Sequence, residues 1–281
     1  MRTTFVLAAA LIVATALTLL VMIGTDDSEV PGTTQPLRAL YAIDPPFAFL
    51  DRTGRVTGVA PELLRVLSRE AGLGEIEFVH SDFGQLLHDL AMGRGDIVVN
   101  GAFVSSELMQ QVRFTTPFAR VSAAMLVAAG NPRGLHSLED VAVRPDTVLA
   151  VIDESVELAR AERAGLSRSR IQRHGDTPGA VVAIIEGRAD AFVLTDVSLR
   201  YMLANSGFTG IEMATPFVST RQIGQPDRGD PAFVLRLQDE ALARRLDQAI
   251  TAFVPSDDYL ELVMPFGVGA VNIPAAMPDT R

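Results

Sequence analysis

Two segments of this chain follow the same pattern. A helical run ends in Gly-Arg, and an aspartate two residues later opens an apolar strand: GRGDIVV at 93–99 and GRADAFVL at 187–194. Around the first lie LRALYAI, a short run of β character, then GVAPELLRVLSREAGLG, IEFVH and FGQLLHDLA. Pro61 suits a first helical turn, Leu63, Leu64 and Leu67 form one helical face, and Gly72 or Gly74 ends it. Around the second lie TVLAVI, ESVELARAERAG, TPGAVVAIIEGRA and VSLRYMLANSG. Strands alternating with helices imply βαβ units and mostly parallel sheets. The repeated pattern predicts two related α/β lobes. Thr-Pro-Phe occurs in both TPFARVSAAMLVAAGNP and ATPFVSTRQIG, which predicts two crossovers between lobes and a cleft between them. The expected boundaries are 37–122 plus 230–275 for lobe 1, 126–222 for lobe 2, and a tail at 276–281. Ligand sites fall at such interfaces and at the carboxyl ends of parallel strands.

The N-terminus constrains where the chain goes. Arg2 precedes FVLAAALIVATALTLLVMI, which carries no charge. A run of about 19 apolar residues lies between a signal-peptide core and a membrane span of about 20. Residues 1–23 are therefore expected to be a signal peptide or a signal anchor, and 24–36 a polar linker. Export follows in either case, to the periplasm or an extracytoplasmic space. The formal net charge of −10 excludes a nucleic-acid partner, which needs a basic face. The absence of cysteine excludes disulfides, thiolate catalysis and cysteine-held zinc. His80, His88, His136 and His174 show no metal-ligand spacing, and no nucleophile elbow, phosphate loop or dinucleotide fingerprint occurs. No cofactor, metal or enzymatic activity is expected.

The strand-end loops carry an aromatic set with one acid. YAIDPPFAF puts Asp44 and Phe47 after the first strand, HSDFGQLL puts Phe83 after the next, and VNGAFVS puts Phe103 after the third. Asn100 and Ser105 flank Phe103 on that loop. Each phenylalanine taken singly reads as core. Three in equivalent loops of one sheet edge read instead as a cleft wall suited to a cation, at about 0.5–2 kcal/mol per well-placed ring.

Residues 37–274 resemble the family 3 extracellular solute-binding proteins of ABC importers. The marks are DPPFAFLDRTGRVTGVAPELL, FGQLLHDLAMGRGDIVVNG, FTTPF, GNPRGLHSLEDVA, GRADAFVLT and VMPFGVGAVNIP. TGVAPELL, GAFVSSE and PFGVGAVNIP are most similar to the ectoine and hydroxyectoine binders. The resemblance implies a two-lobed type II periplasmic-binding-protein fold, a monomer, a small-molecule ligand and a permease partner. It places Asp44 where that subgroup has an acid meeting the ligand's cationic ring, and Phe47, Phe83 and Phe103 on its aromatic box. Thr195 falls on the ligand-facing strand end of lobe 2, beside Asp196. Two positions depart from the pattern. Leu108 stands in SSELM where the family has a carboxylate-holding arginine. Glu154, before Ser155, stands where the family has a glycine at a helix N-terminus.

The expected function is capture of a small polar or cationic solute, ectoine-like, amino-acid-like or a decarboxy analogue. A membrane-anchored sensory module of the same fold and a cyclohexadienyl-dehydratase-like enzyme are the alternatives.

Overall fold

A computed structural model of the chain describes residues 35–153, 155–218 and 228–274. The signal segment, all but the last two residues of the linker, Glu154 and the tail lie outside the described residues. Among those described, no helix is long and apolar enough to cross a membrane. The chain separates at Pro36, and the elements below belong to the unit Leu37–Arg281.

The first half holds β1 (Leu37–Tyr41), β2 (Phe49–Leu50), β3 (Val56–Thr57), α1 (Val59–Glu70), β4 (Ile76–His80), α2 (Leu86–Ala91), β5 (Ile97–Val98) and β6 (Arg113–Phe114). The middle holds β7 (Val121–Ala128), α3 (Leu138–Val143), β8 (Leu149–Ile152), α4 (Val156–Arg163), β9 (Ile171–His174), α5 (Thr177–Ile185), β10 (Ala191–Thr195), α6 (Asp196–Asn205) and β11 (Ile211–Met213). The chain then returns through β12 (Arg228–Gly229), β13 (Val234–Leu235), α7 (Glu240–Phe253) and α8 (Asp257–Val263).

Two separate sheets result, one per lobe. The first runs β4-β1-β5-β13-β6 and the second β11-β7-β10-β8-β9, with β12 alongside β7. In the first, β1 is parallel to β4 and β5; in the second, β8 is parallel to β9 and β10. Their carboxyl ends carry the loops that the sequence marked as ligand-facing.

The repeated Gly-Arg-x-Asp pattern has one structural role in both lobes. Gly93 and Gly187 take φ of 71° and 70° just past α2 and α5, a region costly for residues with a Cβ. Each aspartate then ties its strand to the parallel neighbour. Asp96 Oδ2 accepts from the Arg38 amide at 3.1 Å, and Asp190 Oδ2 accepts from the Val148 amide at 2.8 Å. Leu63, Leu64 and Leu67 of α1 are fully buried in the lobe 1 core, together with Leu246 and Ile250 of α7 and with Tyr259 of α8.

Strand β7 lies in the second sheet from Val121, so the first passage comes just before it, close to the expected lobe 1 limit at 122. The second Thr-Pro-Phe is not a crossover. Ala214 donates to Met125 O and Val218 to His136 O, both at 2.8 Å, and Phe217 packs on a lobe 2 core. These bonds hold the segment inside lobe 2, and the return passage comes later, where Gly229 pairs with Val121 and Pro231 with Phe103.

The C-terminal segment joins the two passages. Asn272, 2% exposed, donates to Arg120 O at 2.8 Å and to Asp196 Oδ2 at 3.0 Å. Its Oδ1 accepts from Arg200 at 2.6 Å, and Arg120 pairs with Asp230 on the return passage at 3.0 Å.

Candidate functional site

A cleft of about 690 Å³ opens between the lobes. Lobe 1 contributes residues 43–45, from the loop after β1. Lobe 2 contributes Ile152 and residues 175–178 at the ends of β8 and β9, Leu194 on β10, and residues of α6 and the turn after it. The cleft therefore sits where parallel strands end, as the alternating pattern predicts.

Asp44 stands on its lobe 1 wall. A tight turn fixes it: its amide donates to Ala48 O at 2.7 Å, and its carbonyl accepts from the amides of Phe47 and Ala48 at 2.8 and 3.0 Å. Behind it lies Asn100, whose Oδ1 accepts from the Ala42 amide at 2.9 Å and whose Nδ2 donates to Ala42 O at 3.2 Å. Asp44 stays partly open to the cleft while surrounded by protein. Burial pushes its carboxyl up to about 6, and a hydrogen bond from Asn100 opposes the rise only in part.

The other expected site residues take different places. Phe47 is a correction: it is 3% exposed and belongs to the lobe 1 core. The turn that presents Asp44 folds Phe47 inward, and Gly101 lies so close that a Cβ there would meet the ring at 2.5 Å. Phe83 is 66% exposed on a 3₁₀ turn and is not part of the cleft lining. Phe103 is half-buried at the return passage, its ring against Gly229 and the lobe 1 core, and it is not among the described residues lining the cleft. Leu108 packs on the cluster of Leu86, Leu90 and Val112 and is not among the described residues lining the cleft. Ser105 turns inward too, its Oγ accepting from the Leu108 amide at 3.2 Å.

In lobe 2, Ser155 caps α4, accepting from the Leu158 amide at 3.3 Å. Thr195 caps α6, accepting from the Ser198 amide at 3.1 Å and donating to Ser198 Oγ at 2.7 Å. Asp196 is a further correction. Its Oδ1 accepts from the Ser122 amide at 3.0 Å, and its Oδ2 accepts from Arg200 at 2.9 Å and from Asn272. Both oxygens are taken by protein, so its charge serves the junction of the lobes.

Sequence reasoning missed most of the lobe 2 wall: Ile152, Asp176, Leu194, Tyr201 and Met202. The available signal was HGDTP, a helix start directly after a parallel strand. Asp176 caps α5 there, accepting from the Gly179 amide at 2.8 Å. Among the described residues lining the cleft, Asp44 and Asp176 are the charged ones, and none is basic. Arg200, the nearest in sequence to the α6 wall, is committed to Asp196, Asn272 and Gly267 O. No group of three or more acidic or histidine side chains that could hold a metal occurs among the described residues.

Comparison with known proteins adds four findings. A family model described as "Bacterial extracellular solute-binding proteins, family 3" matches residues 37–267. The chain is 27% identical over 236 residues to the "Probable amino-acid ABC transporter periplasmic-binding protein y4tE" of Sinorhizobium fredii, covering 83% of this chain and 77% of the relative. It is also 23% identical to the cyclohexadienyl dehydratase of Pseudomonas aeruginosa, over 72% of this chain and 71% of that one. Among solved structures, EhuB in complex with hydroxyectoine superposes with a TM-score of 0.67 at 26% identity, covering 84% of this chain and 89% of EhuB.

Proposed function

The chain belongs to the bacterial extracellular solute-binding proteins, family 3, and on that premise we propose that it closes two lobes on a small organic cation lacking a free carboxylate, for delivery to the permease of an ABC importer. One observation carries the reading. The described cleft lining offers two carboxylates, Asp44 and Asp176, and no basic side chain. Against the described lining a carboxylate would lose water without gaining a basic partner. An uncompensated buried charge costs about 3–5 kcal/mol, roughly two to three and a half decades of affinity. A cation faces the opposite balance, because Asp44 is itself desolvated and gains a counter-charge. The departure at Leu108 points the same way. Export rests on the apolar N-terminal run, and mass spectrometry of the mature chain from its host distinguishes a free receptor from an anchored one.

Calorimetry at pH 7.5 tests the ligand class. Tetramethylammonium is expected to bind measurably, with ectoine and ordinary amino acids at least about a hundredfold weaker. Ectoine binding tighter than that of the organic cation sinks the reading.

The dehydratase relative and Asp44 favour a second reading. A carboxyl near 6 suits a general acid at neutral pH. Release of water from a cyclohexadienyl substrate, followed by NMR with the purified protein, would establish it.

A further inference from the structure

The cleft is built for more than a charged head. Its volume of about 690 Å³ lies within the range of about 300–1,000 Å³ that holds a drug-sized ligand. The apolar part of the lining is Ile43 from lobe 1 with Ile152, Leu194, Tyr201 and Met202 from lobe 2; Asp176, Thr177, Ser198, Asn205 and Ser206 supply the polar part, the last two at the end of α6. Ile43 is 51% exposed although it follows β1 with only the buried Ala42 between, and it directly precedes the acid. It belongs to none of the hydrophobic clusters formed by the lobe cores. Singly exposed apolar residues are common, but this one lies beside a carboxylate and lines the same cleft as Ile152, Leu194 and Met202, so it offers contact to the alkyl part of a bound ligand.

The same wall disfavours a compact, strongly hydrated ammonium. Apolar neighbours withhold water from Asp44 and would withhold it from any cation brought to it. A cation whose charge is shielded by alkyl groups loses less hydration there and gains contact with the wall. We infer that the ligand is an amphiphilic organic cation: an alkylated ammonium paired with Asp44, whose apolar chain runs between Ile43 and the Ile152–Leu194–Met202 wall toward the end of α6. This rests on the cationic reading of the same cleft and extends it, making Ile43 and Met202 the specificity-determining positions for the chain.

The experiment is calorimetry at pH 7.5 with alkyltrimethylammonium ions of one, two, four and six carbons in the variable chain. Burial of one methylene is worth about 0.8 kcal/mol, close to a fourfold gain. Affinity is expected to rise about three- to fourfold per methylene through six carbons. In Ile43→Asn and in Met202→Gln the ratio of hexyl to methyl affinity is expected to fall at least tenfold. Ile43→Asn decides the matter if Met202→Gln does not fold, because Ile43 lies outside the cores. Tetramethylammonium binding with no gain along the series overturns the apolar-chain inference and leaves the cationic reading standing. No binding by any member, with Asp44→Asn indistinguishable from the wild type, overturns both.

Discussion

Asp44→Asn should make the protein more stable and less able to bind. The carboxyl of Asp44 is displaced from an ordinary value of 3.8 to about 6 because burial disfavours its charged form. A displacement of that size corresponds to about 3 kcal/mol against the ionised fold. Asp44 keeps some contact with the open cleft, and solvent screening reduces the figure to about 1–2 kcal/mol. The direction with pH follows from which state ionises first. Below about pH 4 the carboxyl is protonated in both states and costs nothing. As pH rises from about 4 through 6 the unfolded chain ionises first, so the fold loses stability, and above about 6 the loss is complete. Asparagine keeps the shape and accepts the hydrogen bond from Asn100 but never ionises. At pH 7.5 the variant is expected to melt about 2–8 °C above the ligand-free wild type, at about 2–4 °C per kcal/mol for a chain of this size. At pH 4 the two should melt together. Differential scanning calorimetry at both pH values reads the gap, and calorimetric titration of the same samples should show that cation binding is gone. A variant that melts below the wild type at pH 7.5, or a gap that persists undiminished at pH 4, would refute the account of Asp44 as a strained acid waiting for a cation. Stability gained where function is lost is the expected exchange at a binding site.

The remaining expectations concern the pH dependence of binding and the packing behind the site. Cation affinity should fall by up to about tenfold per pH unit below about 6, because a proton competes for Asp44; titrations at pH 7.5, 6 and 5 measure it, and a flat profile contradicts the assignment. Asn272→Ala removes the side chain that joins Arg120, Arg200 and Asp196, leaving buried polar groups unpaired, and should cost about 2–4 kcal/mol in urea unfolding. Gly101→Ala drives a methyl into the Phe47 ring and should cost about 1–3 kcal/mol in the same assay; a neutral result would mean that Phe47 is free to move out of the core.

The architecture was legible because it rests on local regularities. Apolar runs of strand length, helices with a leucine face and the repeated Gly-Arg-x-Asp turn each report on neighbours close in sequence, and the sheets formed as those patterns imply. The crossovers were less legible. Thr-Pro-Phe is the same tripeptide at 116–118 and 215–217, but the second is held inside lobe 2 by hydrogen bonds to Met125 and His136, some 80 to 90 residues away. Asp196 was misplaced for the same reason. It follows the carboxyl end of β10, and nothing near it in sequence reveals that Asn272, 76 residues on, occupies its carboxylate.

Position within a loop proved the weakest guide to which side chain faces the cleft. Asp44 and Phe47 lie three residues apart on one turn. The bonds between Asp44 and Ala48 that hold the acid at the cleft are the ones that fold the ring beneath it. An aromatic at a strand end is therefore ambiguous until its loop closes, whereas a charged residue is less so, because burying it unpaired costs several kcal/mol. Leu108 follows the same logic from the other side. An arginine at that position would have to reach water or an anion; a leucine has no such demand and packs against Leu86 and Leu90. The substitution does more than delete a hydrogen bond donor, since it also seals the loop onto the lobe 1 core. Among the described residues, what remains open to the cleft is Asp44 beside Ile43 on one wall, and Asp176 with apolar and neutral polar side chains on the other. That pairing is why charge and chain length should act on affinity as separable variables: Asp44→Asn should lower affinity for every member of an alkylammonium series, and Ile43→Asn should lower chiefly the gain per methylene.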